Sequence, residues 1–423
     1  MKAASRIQTA IEILDKIAES LIPMDNTIRD YMHHRRYIGS KDRAAIVERV
    51  YRIIRHYARL KWLIEQSGQL TTPRNFVIAD LSWHGEDMTN LFTGDKHAPQ
   101  PLTDEEKEWS GKLTDHASMP VSAEVECPEW AEEKLRGLFG DDFERQMRAM
   151  TEGASLDLRV NTVKGSRQKA KEMLAAQEVT THETPYSPFG LRVEGKAFMS
   201  ATKAFSKGLV EIQDEGSQLI ALACDVKPGM RILDYCAGAG GKTLGLAAMM
   251  ENKGNIVAMD IDTRRLEKGR SRFRKAGIHN VELRSLADDK NKKWLRRQKG
   301  AIDVVLVDAP CSSSGTWRRN PDLRWKQYGP SLDEIKEMQA DILSRVADKV
   351  KPGGKLVYAT CSLFREENEE QVEKFLADHS EYSVLNLAEN WAYGDFSCEG
   401  PYLRLTPADH NTDGFFTAVL IRE

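Results

Sequence analysis

Val304-Val-Leu-Val-Asp308-Ala-Pro-Cys311-Ser-Ser-Ser-Gly315 is an apolar run that meets an acid, a proline, a thiol and then four small residues. Consecutive apolar residues, three of them β-branched, predict a short strand buried on both faces, as in a parallel sheet. An open α/β sheet carries its chemistry beyond the carboxyl ends of its strands. Asp308 and Cys311 therefore stand where a reaction would run. Cys311 by itself has two readings, nucleophile or small buried filler, because cysteine is among the residues most often buried.

Working outward, the chain after Gln213 becomes regular. Strands are expected at 231–234, 255–260, 281–283, 303–308, 355–360 and 415–421. Helices are expected from Thr243, through the basic stretch after Asp260, over 331–350 and over 366–377. That alternation predicts a parallel, doubly wound sheet with both faces covered.

The earlier residues read differently. Ile7, Ile11, Ile13, Leu14, Ile17 and Leu21 recur at helical spacing, as do Ile46, Val50, Ile53 and Ile54. Residues 4–66 are accordingly expected to be helical, with Ser40 as an N-cap, and weaker helical segments run to Phe92. The Gly- and Pro-containing polar stretch 93–120 reads as a connection. A helix opens at Pro128 and runs towards Met150. It is followed by an alternating strand at 156–162, a helix at 167–176 and strand-like pieces at 190–194 and 208–213. The expected fold is multidomain: an all-α domain over 1–115, a small α+β subdomain over 120–205 and an α/β domain over 206–423.

Composition narrows the class. At 423 residues, with 41% hydrophobic and 30% charged, the chain can bury real cores and is not a disordered protein. The acids near the start leave no uninterrupted apolar leader, and no run is long enough to cross a bilayer, so a cytoplasmic protein with no membrane partner is expected. Six cysteines lie far apart with no CxxC pair, which argues against a structural metal and a disulfide framework. Net charge is −3, yet 255–330 holds 18 Lys/Arg against 9 Asp/Glu. A basic zone in an acidic chain suits a polyanion, or equally a solvated helix face.

The loop Asp234-Tyr-Cys236-Ala237-Gly238-Ala239-Gly240-Gly241-Lys242-Thr243 follows a strand and opens a helix. It is not a P-loop, since Cys236 stands where the first glycine is required, and it is not GxGxxG, since Thr243 stands at the last. Asp260, 22 residues beyond Gly238 at the end of the next strand, is placed to accept from ribose hydroxyls, or else to cap the next helix. A ribose acid without a pyrophosphate fingerprint points to S-adenosylmethionine. Tyr358-Ala-Thr-Cys361-Ser362 then brings a second thiol to a strand end. Two thiols at one sheet edge suit covalent catalysis. Carbon 5 of a pyrimidine needs it, because that carbon becomes nucleophilic only when a thiolate has added at carbon 6.

The motifs Gln213-Asp-Glu-Gly-Ser-Gln218, Gly240-Gly241-Lys242-Thr243, Asp308-Ala-Pro-Cys311, Arg318-Arg-Asn-Pro-Asp322, Thr360-Cys361-Ser362 and Asp413-Gly-Phe-Phe416 occur in one order. Together they resemble the Sun-type RNA cytosine-5 methyltransferases. Leu156-Asp-Leu-Arg-Val-Asn-Thr resembles that family's RNA-binding subdomain, and Gly39-Ser-Lys-Asp-Arg-Ala through Tyr51 resembles the NusB-like domain of the bacterial 16S ribosomal RNA enzymes. The resemblance implies a Rossmann-like class I methyltransferase domain in a monomeric enzyme acting on RNA, rRNA rather than tRNA. It implies Cys361 as nucleophile, Cys311 as the cysteine that releases product, Asp308 on both cofactor and base, and Lys242 near the base. Cys236, Ala237, Gly238, Ala239, Gly240, Gly241, Lys242, Asp260 and Asp308 would hold the cofactor, with Arg318 and Arg319 on RNA. Ala239 departs from the family's usual proline. The acid expected to meet adenine is not in place, leaving Ser285 or Asp288 as candidates. A DNA cytosine methyltransferase would attack with Cys311 and normally carries a Glu-Asn-Val partner not found here. A non-catalytic RNA-binding or ribosome-assembly factor would have no need of both thiols.

Overall fold

Helix Ala3–Glu19 buries Ile7, Ala10, Ile13, Leu14 and Ile17, and helix Ser40–Arg55 buries Ile46, Val50, Ile53 and Ile54. Each set repeats every three or four residues, so each helix turns one apolar stripe towards a common core. Leu60, Leu63 and Ile64 of helix Tyr57–Gln66, and Phe76, Val77 and Ile78 of helix Pro73–Trp83, complete it. Three local expectations need correction. Ser40 is the first helical residue and Gly39 the cap. Leu21 lies beyond the helix end and is 88% exposed. The stretch read as a connection holds helix Asp104–Ser110, opened by a capping box in which Glu106 N donates to Thr103 Oγ1 and Thr103 N to Glu106.

The computed structural model describes residues 1–113, 118–394 and 396–423. They form two compact units, Met1–Gly153 with Trp317–Pro330, and Ala154–Thr316 with Ser331–Glu423. These units cut the chain differently from the three-part division at 115/120 and 205/206, whose first boundary touches residues outside the described ones.

The excursion 317–330 is stitched into the helical unit through backbone carbonyls and buried charge. Arg324 is fully buried and donates to Glu126 O at 3.0 Å and Met150 O at 2.6 Å. Burial lowers its guanidinium to about 10, and burial also raises the Glu126 carboxyl to about 8. Glu126 in turn accepts from Ala58 N at 2.8 Å. Asp322 accepts from Met24 N at 2.9 Å, and Trp325 Nε1 donates to Ile54 O at 2.8 Å.

The second unit holds twelve strands among the described residues: β1 (Asp157–Val160), β2 (Thr181–Glu183), β3 (Gly190–Val193), β4 (Val210–Ile212), β5 (Arg231–Asp234), β6 (Asn255–Asp260), β7 (Val281–Ser285), β8 (Ile302–Asp308), β9 (Val350–Thr360), β10 (Tyr382–Val384), β11 (Leu403–Leu405) and β12 (Phe415–Arg422). An antiparallel sheet runs β2-β3-β1-β4. The larger sheet runs β10-β12-β9-β8-β5-β6-β7, with β11 paired to β12. From β7 to β9 every pairing is parallel, but β12 runs antiparallel to β9, and β10 to β12. The wholly parallel sheet expected from the alternation is thus corrected to a mixed one. β11 and β12, joined across only the four-residue helix Pro407–His410, too short for a parallel crossover, also pair antiparallel.

Alternation along β8 explains its continuous apolar run. Val304 and Leu306 enter the core shared with helix Gly241–Met249, whereas Val305 and Val307 enter the opposite core with Leu343 and Val346. Among the described residues no helix is long and apolar enough to cross a membrane.

Arg324→Met should lower the unfolding free energy of the helical unit by about 2–5 kcal/mol, since two buried carbonyls lose their donor and Glu126 loses a nearby cation. Urea unfolding monitored by tryptophan fluorescence measures this; a midpoint equal to that of the parent chain would contradict it.

Candidate active site

Parallel pairing sets Asp308 of β8 opposite Ala359 of β9. The two chains therefore leave the sheet side by side, and Cys311 Sγ comes to 3.4 Å from Cys361 Sγ. Both thiols are free. The following loops are bound to each other, with Gly315 N donating to Cys361 O at 2.9 Å and Leu363 N to Ser314 Oγ at 2.8 Å. Gly315 has no room for a side chain: a Cβ there would lie 2.2 Å from Gly414 O. The same close approach accounts for Gly414 of the motif 413–416.

The two thiols are not equivalent. The Cys311 contact holds the Cys361 thiol below the usual range against the opposing effects of burial and of Asp308, aided by Ser313 and Lys242. The same contact, with burial, pushes Cys311 well above it. Either sulfur can donate across the 3.4 Å contact, and the surroundings favour the proton on Cys311. Ser313 Oγ lies 3.6 Å from Cys361 Sγ, and its backbone takes a left-handed φ of +57° to reach there. Sequence alone does not single out Ser313 within its run of three serines.

Lys242 Nζ donates to Asp308 Oδ2 at 2.6 Å. Burial works against the ammonium, but the charge and hydrogen bond of Asp308 outweigh it and hold Lys242 above its usual range. Asp308, Cys311, Ser313 and Cys361 line one cavity of about 890 Å³, which continues to Cys236, Asp260, Ile261, Arg265 and Leu286. This is room for a nucleoside-sized group and a base together.

Of the loop residues expected to hold a cofactor, Cys236 lines that cavity, and Ala237, Gly238, Ala239, Gly240 and Gly241 form the turn into helix Gly241–Met249. Burial and three nearby aspartates push the Cys236 thiol far up, so it is no nucleophile. Gly240 has φ +78°, and a Cβ on it would lie 2.4 Å from Phe273. Asp260 accepts from Gly238 N and from Asp262 N, each at 2.7 Å, and still faces the cavity. It therefore shapes the loop as well as presenting a carboxylate, while the following helix is capped by Asp262 instead. Asp234 is fully buried and pushed up to about 7 by burial, with Thr243 Oγ1 donating to it at 2.6 Å.

Ser285 pairs with Thr263 Oγ1 at 2.6 Å, and Asp288 caps helix Asp289–Arg296. The cavity wall here is Leu286, facing the 66% exposed Ile261. Arg318 and Arg319 lie in the other compact unit. Arg318 is 2% exposed, in the excursion that folds into the helical unit.

Two residues of the strand motif 156–162 were missed as site determinants. Arg159, fully buried and lowered to about 10 by burial, donates to Gly241 O at 2.7 Å and so supports the glycine turn. Asn161 Nδ2 donates to Gly208 O and to Ala276 O, at 3.0 and 2.8 Å, tying the small sheet to helix Thr263–Ala276. Likewise Glu215 accepts from Tyr186 N and Ser187 N at 2.7 Å, so motif 213–218 acts as a junction. Among the described residues no three His, Cys, Asp or Glu side chains are grouped to hold a metal ion.

The chain is similar to known proteins in sequence and in fold. Residues 221–421 match the family model described as 16S rRNA methyltransferase RsmB/F, and 127–199 match the RsmF/B-like ferredoxin-like domain. A probable ribosomal RNA small subunit methyltransferase B of Synechocystis sp. is 32% identical over 317 residues, covering 74% of this chain and 71% of that protein. The ribosomal RNA small subunit methyltransferase B of Salmonella paratyphi B is 26% identical over all of this chain and 98% of its own length. The crystal structure of PH0851 superposes with a TM-score of 0.77 at 25% identity, covering 100% of this chain and 99% of that one.

Cys361 should react with iodoacetamide at a pH below that of an ordinary thiol, and Lys242→Met should move that midpoint upward, because loss of a cation destabilises the thiolate. Peptide mass mapping across pH reads both; a downward move would refute the electrostatic account.

Proposed function

We propose that this chain, which belongs to the RsmB/F family of 16S rRNA methyltransferases, methylates carbon 5 of a cytosine in 16S rRNA through a covalent adduct with Cys361. The observation that carries this reading is the pair of unlinked thiols 3.4 Å apart, brought together at the ends of neighbouring strands. In this reading residues 1–115 form a NusB-like domain, 120–205 present RNA, and 206–423 carry the chemistry.

The cofactor of this rRNA methyltransferase is S-adenosylmethionine, and the residues fit it. The cavity begins at a turn whose Gly238 and Gly240 have left-handed φ, Asp260 offers a carboxylate to ribose hydroxyls, and Ile261 and Leu286 give apolar walls for adenine. When bound, it supplies an electrophilic methyl group.

The chain's own residues do the rest. Cys361 Sγ forms a bond to carbon 6 of the ring, and the electron pair of the 5,6 double bond becomes available at carbon 5. Asp308, in the cavity wall with Cys361, orients the ring, and Lys242 bonded behind it helps to stabilise the charge that develops there. Carbon 5 then carries both a methyl group and a proton. Loss of that proton to a base restores the double bond and breaks the S–C6 bond. Cys311, whose sulfur lies 3.4 Å from that of Cys361, is the partner of this release step.

Incubation with labelled S-adenosylmethionine and unmodified 16S rRNA should place label at carbon 5 of cytosine; label in tRNA alone would move the substrate, and none in either would sink the proposal. Cys361→Ala should abolish turnover, whereas Cys311→Ala should accumulate a covalent RNA–protein band on denaturing gels. The adduct appearing with the opposite mutant would reverse the two roles.

A further inference from the structure

Each of the two cysteines is followed by a serine, and both serine hydroxyls donate to one carboxylate. Ser312 Oγ reaches Glu367 Oε2 at 2.5 Å, and Ser362 Oγ makes a short bond to the same oxygen. Ser312 N donates to Glu367 Oε1 at 2.8 Å, and Gln339 Nε2 to that oxygen at 3.1 Å. Gln339 Nε2 also donates to Pro310 O, at 2.9 Å, immediately before Cys311. Glu367 is fully buried, and all four of these donors are neutral. A carboxylate accepts only, at about four lone-pair sites, which matches four donors; an amide would turn N–H groups against some of them. Burying a charge this deeply is costly unless it is fully hydrogen-bonded, so its presence asks for a role.

We propose that Glu367 is a positioning residue: its carboxylate clamps the Cys311 and Cys361 loops in register and assigns the proton between them to Cys311. The proposal rests on Cys361 being the attacking thiol. The surroundings of the two sulfurs differ. Glu367 disfavours a negative charge on Cys311. On Cys361 the Ser313 hydroxyl and Lys242 favour one, and Asp308 opposes it. Tyr358, whose hydroxyl donates to Glu367 O at 2.6 Å, packs behind as a buried neutral phenol held well above its usual range by burial. Removing the buried carboxylate would loosen the two loops and weaken the preference for the proton on Cys311.

Timed alkylation by iodoacetamide, mapped by peptide mass, tests this on the full chain across about pH 6–9. In the parent chain Cys361 should be labelled well ahead of Cys311. In Glu367→Gln that preference should fall at least about tenfold, the change a shift of about one unit in relative thiol pKa produces, and the Cys361 profile should move to higher pH. Ser312→Ala, which removes one donor and keeps the carboxylate, should show a smaller fall and serves if Glu367→Gln does not fold by its urea midpoint. An unchanged preference and pH profile in the folded variant would overturn the proposal, whatever happens to turnover. Labelling needs neither RNA nor cofactor, so its outcome is separate from that of the methylation reading; a Cys361→Ala enzyme that still methylates would fail the latter alone.

Discussion

The parallel pairing of β8 with β9 is the constraint on which the rest depends. Asp308 opposite Ala359 sends both chains out of the sheet at the same level, and the thiols meet because their loops start side by side. The register cannot slip. A shift of one residue would exchange Val304 and Leu306 with Val305 and Val307, turning each core's side chains into the other. Geometry at the two sulfurs is inherited from dispersion and apolar burial several residues away.

Electrostatics then give the two sulfurs different characters. In a buried site charges are weakly screened, so the placement of one cation and a few carboxylates decides where a proton rests. Lys242 is held charged by Asp308, and both sit near Cys361 rather than Cys311. Asp234 and Cys236, one turn away, are pushed by burial towards their neutral forms and leave the charge pattern to the pair that faces the cavity.

Much of this was legible in the residues. Strand ends, the glycine turn and both thiols announce themselves through apolar runs of four to six residues and through punctuation by Gly, Pro and Cys. The antiparallel arrival of β12 was not legible, because direction depends on what β11 and its short turn do, and an apolar strand carries no sign of its direction. Nor was the path of the chain between Trp317 and Pro330 legible, which leaves its own unit to complete another. Arg159, Asn161 and Glu367 were silent because each acts through long-range backbone or hydroxyl partners that no local spacing reveals.

The excursion 317–330 also bears on how the protein is made. A chain emerging from the ribosome presents residues 1–153 first, but their compact unit lacks Arg324 and Trp325 until about 170 further residues have been added. At about 5–20 residues per second that is roughly 9–34 s during which Glu126 and the carbonyls of Ile54 and Met150 have no native partners from that segment. The helices first in sequence are therefore not the first to be finished, and an N-terminal fragment ending before 317 is an incomplete folding unit that chaperones would meet during synthesis.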